Sequence, residues 1–172
     1  MRFVSAAFLL LVLGGCASKA PRFSTIAEEF VFNSLTFSPS AATAAGYHMH
    51  AGVPLDELMD DFSSPARQRR QNFYARFREG LKRDVDPAKL EAQDRADYEL
   101  VQQQLALGLL DLIEIKSFAH NPTLYVESIG NALYVPFVQE YAPRNARFFH
   151  ILKRLDRIPA RVEAAKANLG SA

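Results

Sequence analysis

The chain has 172 residues and a nearly even charge balance, with 20 Lys or Arg against 19 Asp or Glu. This balance argues against nucleic acid or an anionic lipid surface as the main partner. The single cysteine excludes an internal disulfide framework, so stability must come from packing. The length suits one domain with a real core, or one part of a larger domain.

The first fifteen residues form an apolar leader that ends at the only cysteine. Residues 3–13 are apolar, and Gly14 and Gly15 are the small residues that a peptidase needs before its cut. The apolar residues 3–13 would rise only about 16 Å as a helix, against about 30 Å of hydrocarbon, so they are too short to span a membrane. Its end resembles a bacterial lipobox, in which Cys16 is lipidated. An ordinary secretory signal followed by a chance cysteine is the alternative.

These features predict a lipoprotein signal peptide at 1–15, a lipid-anchored tether at 16–22 and a helical segment at 23–172. Acylated Cys16 is the predicted lipidation site and the contact with the membrane, because several acyl chains together anchor a protein stably. Ala17 stands where Asp would indicate inner-membrane retention. The expected location is therefore the cell envelope, at the outer membrane and facing the periplasm.

The prolines predict an all-α fold, an irregular multi-helix array. Four of them follow good N-cap residues, in Ser38-Pro39, Ser64-Pro65, Asp86-Pro87 and Asn121-Pro122. A cap oxygen satisfies a free backbone N–H at a helix start, and proline has no N–H to satisfy there.

Apolar spacing predicts the helices in chain order. A first helix spans about 26–35, a loop follows at 46–63, and long helices run over about 65–83 and 87–117. For the second, a break near Ala92 is the alternative. The C-terminal half of the second should be buried nearly all round, because apolar residues lie on every side of it. Residues 134–141 are predicted as helix that is kinked or ended at Pro136. Two further apolar stripes follow at 148–155 and 159–169.

Candidate sites are few, and each has a simpler interpretation. His48 and His50 could share a metal only in an extended loop, and two imidazoles fall short of a zinc site. Glu91, Asp94 and Asp97 are spaced as neighbours on one helix face, which is more typical of an exposed ion-pair face than of acid–base chemistry. Three tyrosines could line a polar pocket with Asn131 and Gln139 or be buried and tied to backbone. They are Tyr125, Tyr134 and Tyr141.

No catalytic motif is present. The chain lacks Gly-x-Ser-x-Gly, a glycine-rich phosphate loop and His-Glu-x-x-His. The sequence therefore predicts no catalytic, cofactor-binding or metal-binding residue, and no enzyme activity of this chain by itself.

Several short strings, in order, resemble the N-terminal part of a bacterial family catalogued as domain of unknown function 885. They are Phe37–Thr43 with Gly46-Tyr47-His48, Asp94–Tyr98, Asn121-Pro122 with Tyr125, Arg154-Leu155 with Ile158-Pro159, and Asn168-Leu169. The resemblance implies a much longer, mostly helical protein that is often exported or lipid-anchored and resembles zinc metallopeptidases. Its zinc would be held by a His-Glu-x-x-His helix far downstream, so no catalytic residue carries over.

Two functions follow as hypotheses. In the first, the chain is the incomplete, non-catalytic N-terminal portion of a metallopeptidase-like lipoprotein, and a peptide substrate is expected only for the full-length protein. In the second, it is a complete small helical envelope lipoprotein that acts as a binding or scaffold module.

Overall fold

The structure, a computed structural model, describes residues 23–170. Cys16, the predicted signal peptide and the tether lie outside these residues. The all-α prediction is confirmed, because nearly all regular structure in the described part is helical. The helices are α1 (Phe23–Leu35), α2 (Pro39–Ala44), α3 (Ser64–Asp84), α4 (Ala92–Leu110), α5 (Ser117–His120), α6 (Pro122–Val138), α7 (Arg144–Leu155) and α8 (Ile158–Leu169).

Short elements fill two of the connections. Strands β1 (Met49–His50) and β2 (Val53–Pro54) form an antiparallel hairpin, and a 3-10 turn, Leu55–Glu57, follows it. A second 3-10 turn, Pro87–Lys89, precedes α4, and a π-helical turn, Asp111–Ile115, extends α4. The predicted loop at 46–63 therefore contains a hairpin that the sequence reading did not foresee.

The predicted helix starts are mostly in place. Asn121 accepts a hydrogen bond from the Thr123 backbone N–H (3.1 Å) and so caps α6. Asp86 accepts one from the Ala88 N–H (3.1 Å) in the same way, but it opens only a 3-10 turn. The long helix predicted from Pro87 is thus broken, and α4 begins at Ala92.

An aromatic core joins α1, α3 and α4. Phe30 of α1 lies within 5.2–6.4 Å of the rings of Phe73, Tyr74 and Phe77 on α3. Gly108 of α4 allows this close packing, because a Cβ at that position would lie 2.5 Å from Cε2 of Tyr74. The fully buried members of the core are Phe23, Phe30, Tyr74, Leu81, Tyr98, Val101, Leu105 and Leu109.

The prediction that the C-terminal half of the fourth helix is buried all round is wrong. Leu105 and Leu109 are buried against α1 and α3, but Leu107 is 52% exposed and Ile115 is 54% exposed. The helix packs through one face only, since no other element within residues 23–170 covers its far side.

Proline at position 136 shapes the second half of the fold. Pro136 lies inside α6, which ends two residues later at Val138. The helix thus continues past the position where the sequence predicted a kink or an end. Proline has no N–H, and the carbonyl four residues earlier, that of Ala132, therefore loses its helical partner. Arg154 of α7 supplies the missing donor, with Nη1 2.7 Å from the Ala132 oxygen.

Helix α7 packs with its polar side inward. Arg154 is fully buried, and Arg147 donates to the carbonyl oxygens of Pro136 and Phe137, each at 3.1 Å. The apolar stripe of α7 consequently faces outward, and its Leu152 is 58% exposed. With exposed apolar side chains of α6 it forms a surface that we term the α6–α7 apolar face. Its residues are Val126, Tyr134, Phe137, Phe148, Leu152 and Leu155.

A shallow groove runs along this face. It has a volume of about 390 Å³ and is lined by Gly130, Leu133, Tyr134, Phe137, Phe148 and Ile151. Within the described residues, no helix combines the length and apolar character needed to cross a membrane.

Candidate functional site

The hairpin and the turn after it bring a histidine and an aspartate together. The β1–β2 connection is Ala51-Gly52, and both residues have positive φ, +46° and +80°. This pair of left-handed residues matches the twist of the strands and makes a tight two-residue turn. Because the Leu55 N–H donates to the His48 carbonyl oxygen (2.9 Å), the turn places Asp56 beside the His48 ring.

Three rings from separate segments stack beside this aspartate. The Tyr141 ring, in the connection between α6 and α7, lies between two imidazoles. Its centroid is 4.7 Å from that of His48 and 5.9 Å from that of His150, and the planes are 19° and 4° from parallel. We call this arrangement the His48–Tyr141–His150 stack.

The carboxylate of Asp56 faces both histidines of the stack. Its Oδ1 lies 3.1 Å from His48 Nδ1, and its Oδ2 lies 3.9 Å from His150 Nδ1. The Tyr141 hydroxyl is 3.0 Å from His150 Nδ1. Asp56 is only 5% exposed, whereas the His48 side chain is 35% exposed. The stack therefore connects solvent to a buried carboxylate.

Arg154 lies beneath the stack and is linked to it through a hydroxyl group. Its Nη2 donates to Thr43 Oγ1 (2.7 Å), and that hydroxyl donates to Asp56 Oδ1 (2.7 Å). Burial lowers the pKa of Arg154, while the negative charges of Asp56 and Asp60 oppose that shift. A guanidinium with an ordinary pKa above 12 stays charged even so, and it compensates the buried carboxylate.

The environment of Tyr141 keeps its hydroxyl protonated. Burial and the charge of Asp56 together raise the pKa of Tyr141 to about 12, against the opposing charges of Arg154 and Arg147. The protonated hydroxyl lies 3.0 Å from His150 Nδ1, within hydrogen-bond distance.

The chain matches a known protein family and the fold of a solved structure. The family described as "Bacterial protein of unknown function (DUF885)" matches residues 39–172. The chain belongs to the DUF885 family. No curated protein matches it.

One solved structure shows the same fold as this DUF885 chain. It belongs to a protein from Shewanella oneidensis that is provisionally described as a lipoprotein of unknown function. The TM-score is 0.77 at 23% sequence identity, over 87% of this chain and 26% of that chain. The DUF885 chain described here thus spans about a quarter of the length of the solved structure that it matches.

The histidines of this DUF885 chain are not arranged as a metal site. His50 is paired with the Tyr47 hydroxyl (2.7 Å) and does not join His48 at Asp56. Among residues 23–170, no group of three or more His, Cys, Asp and Glu side chains is placed to hold a metal ion. The zinc implied by the family resemblance therefore does not fit the described residues, and no chemistry is assigned to it here.

The other candidates do not converge. Glu91, Asp94 and Asp97 lie on the exposed start of α4, where Gln93 Nε2 is 3.4 Å from Asp97 Oδ1. Tyr125 is buried and donates to the Phe118 carbonyl oxygen (2.5 Å), and Asn168 Nδ2 contacts its hydroxyl (2.8 Å). Tyr134 is exposed on the α6–α7 apolar face. Tyr141 alone of the three tyrosines belongs to the stack.

Sequence reasoning missed Asp56, Thr43 and Arg154. Asp56 comes from a segment read as a loop, and Thr43 from a short helix of small residues. For Arg154 a signal does exist. Pro136 in a helix leaves a carbonyl without a donor, and a buried helix partner that carries arginine can supply one.

Proposed function

We propose that this chain is the N-terminal helical portion of a larger, lipid-anchored envelope protein of the DUF885 family, and that it is not catalytic by itself. In that protein it would form one wall of a cleft and pack against the remaining helices. The observation that carries this proposal is the α6–α7 apolar face. Six large apolar side chains there are 42–71% exposed while the polar side of α7 is buried.

The energetics of that face support the proposal. A soluble helix normally turns its apolar stripe inward, because burying a side chain of this size contributes about 1.5–3 kcal/mol. Covering six half-exposed side chains would contribute on the order of 5 kcal/mol. The similar solved structure is about four times as long as the matched region, so a longer relative contains chain that could provide the cover.

The lipid anchor is a separate part of the proposal. It is supported by the lipobox-like sequence before Cys16 and by the lipoprotein description of the similar structure. A diacylated cysteine with a third chain on its amine would hold the protein stably at the membrane, facing the periplasm.

Replacing the cysteine tests the anchor directly. With Cys16→Ala, cells grown with labelled palmitate should show no label in the protein, and fractionation should move it to the soluble periplasm. Ser18→Ala, two residues away, should leave both results unchanged. Persistent labelling of the Cys16→Ala protein would contradict the lipobox interpretation.

Peptidase chemistry, in this proposal, belongs to the rest of the larger protein. A zinc ion and its His-Glu-x-x-His helix would come from outside the described residues, and a peptide substrate is proposed only for the full-length protein. The role of this chain would be to shape the substrate cleft, with the rigid α1–α3–α4 core as support.

A stand-alone binding or scaffold module is the second candidate. It is supported by the aromatic core and by the polar network around Arg154, whose Nη1 and Nη2 both donate hydrogen bonds within residues 23–170. The DNA after codon 172 distinguishes the two functions. A His-Glu-x-x-His helix encoded there, in frame or after a frameshift, supports the larger protein, whereas unrelated intergenic sequence contradicts it.

A further inference from the structure

A cavity lined by three arginines has a charge pattern that the proposed function does not use. It has a volume of about 310 Å³ and lies where the end of α1, the start of α2, the segment before α3, α3 itself and the start of α8 meet. This volume falls at the lower end of the range for small-molecule sites. Its lining residues are Thr36, Phe37, Pro39, Leu58, Met59, Asp61, Ala66, Arg69, Arg157 and Arg161.

The charged groups of the cavity are unbalanced. Three guanidinium groups line it, from Arg69, Arg157 and Arg161, against the single carboxylate of Asp61. Arg161 forms an ion pair with Asp61, which the Ser63 backbone N–H also contacts at 2.9 Å. One carboxylate thus neutralises one guanidinium and leaves two positive charges in the wall.

The remaining two arginines are available to a ligand. In the described part of the chain, Arg157 uses only its Nε, for a hydrogen bond to the Glu57 carbonyl oxygen (2.9 Å). Arg69 is exposed, and within residues 23–170 its guanidinium has no hydrogen-bond, ion-pair or ring partner. In addition, the Nε of Arg161 is shielded from solvent and lacks a hydrogen-bond partner in the described part of the chain.

The floor of the cavity is apolar. Met59 is 3% exposed, Ala66 is similarly buried, and Phe37 and Leu58 complete the surface. An inorganic anion would leave the apolar floor in contact with water. An uncharged apolar molecule would leave the guanidinium groups without a partner. A guanidinium fork matches a carboxylate in a planar, two-bond geometry.

We propose that this cavity binds an organic carboxylate, with the carboxylate between Arg69 and Arg157 and an apolar group of about the size of a benzene ring on Phe37 and Met59. The site stands independently of the proposed function, because it needs neither the lipid anchor nor additional chain.

Three probes of matched design test the site on the purified chain by isothermal titration calorimetry. Phenylacetate carries both features, benzyl alcohol has the ring without the charge, and inorganic phosphate has the charge without the ring. Phenylacetate should bind with a Kd on the order of 1 mM at low salt, as expected for a ligand of this size. Benzyl alcohol and phosphate should each bind at least about tenfold more weakly.

Two arginine variants on the same helix provide the control. Arg69→Gln should weaken phenylacetate binding at least about fivefold, since it removes a charged hydrogen-bond partner. Arg76→Gln, two turns along α3 and outside the cavity, should leave the Kd within about twofold. Both residues are exposed, so circular dichroism should show the same helix content for both variants.

The proposal is overturned by any of three results. These are no heat of binding with phenylacetate, equal affinity for benzyl alcohol or phosphate, and equal losses in Arg69→Gln and Arg76→Gln.

Discussion

Tyr141 connects the two histidines of the stack. Its ring packs between two imidazoles, and its hydroxyl is within hydrogen-bond distance of His150 Nδ1 (3.0 Å). A tyrosinate there would be partly buried beside the carboxylate of Asp56. The folded protein therefore favours the neutral form more strongly than the unfolded chain does.

The titration of Tyr141 can be separated from that of the other tyrosines by comparing the native protein with the Tyr141→Phe variant. Its pKa is raised from the ordinary value of 10 to about 12, so its stabilising contribution is fully present below pH 10 and is lost as the pH rises towards 12. The ultraviolet absorbance of tyrosinate should be recorded against pH for the native protein and for Tyr141→Phe. The difference curve should have its midpoint near pH 12.

Tyr134 provides the matched control, because it is exposed on α6. The Tyr134→Phe variant should keep the absorbance step near pH 12, because Tyr141 remains in place. Retention of that step in Tyr141→Phe would contradict the described environment of the stack.

Single residues were predicted from sequence only where their chemistry is local. Cys16 is predicted from a local motif that needs no partner in the fold, and its lipidation stays a prediction. The stack joins His48 and Asp56 to Tyr141 and His150 from two parts of the chain that are far apart, so no spacing rule finds it. His48 was noticed as one of a pair with His50, yet the pairing that forms is with Asp56.

The pairing of α6 with α7 depends on a helical proline. Pro136 frees the carbonyl of Ala132, Arg154 bonds to it, and both groups are completely buried. An unpaired buried carbonyl would cost about 1–3 kcal/mol, so the proline and the arginine are expected to be energetically coupled.

A double-mutant cycle measures this coupling. Arg154→Met should lower the free energy of unfolding by about 3 kcal/mol, because the buried carbonyls of Ala132 and Leu55, together with Asp56, lose their cationic partner. Pro136→Ala restores an N–H to α6. The effect of Pro136→Ala on the free energy of unfolding should therefore be about 1 kcal/mol more stabilising in the Arg154→Met background than in the native protein.

A proline at a helix start is the control for this cycle. Pro159 lies in the first turn of α8, where the backbone N–H of any residue would have no carbonyl acceptor within that helix. Pro159→Ala should show no coupling to Arg154→Met in denaturant unfolding. Strict additivity of Pro136→Ala with Arg154→Met would show that the arginine does not replace the missing helical donor.

Helices were easier to predict than the hairpin for a physical reason. Proline at a helix start acts within one turn, so α2, α3 and α6 begin at or within one residue of the predicted starts. Of their three cap residues, only Asn121 accepts a side-chain capping hydrogen bond. The hairpin turn uses Ala51-Gly52, although Asn-Gly is the favoured pair for two positive φ values. Its strands are two residues long, which is too short for an alternating pattern to appear.

The whole molecule divides into two packing regimes. Helices α1, α3 and α4 pack against one another through aromatic and aliphatic side chains. Helices α6 and α7 are joined by hydrogen bonds from arginine side chains to backbone carbonyl groups, and their apolar stripe is exposed. The periodicity of α7 identified the stripe correctly, but periodicity cannot say which side of a helix meets the rest of the chain.

This inversion is the basis for regarding the molecule as part of a larger one. An apolar face of this extent is unusual on a free surface and is typical of an interface. In our proposal, additional chain such as that present in the similar solved structure would cover this face.

Dye binding to the purified chain tests the claim most directly. The α6–α7 apolar face should bind 8-anilinonaphthalene-1-sulfonate at neutral pH, because the dye reports exposed apolar surface. The double variant Phe137→Gln/Phe148→Gln should lose more than about half of the fluorescence, since these rings line the groove. Met49→Gln/Val53→Gln, at exposed positions of the hairpin, should retain it. No dye binding together with a sharp thermal transition would contradict the account.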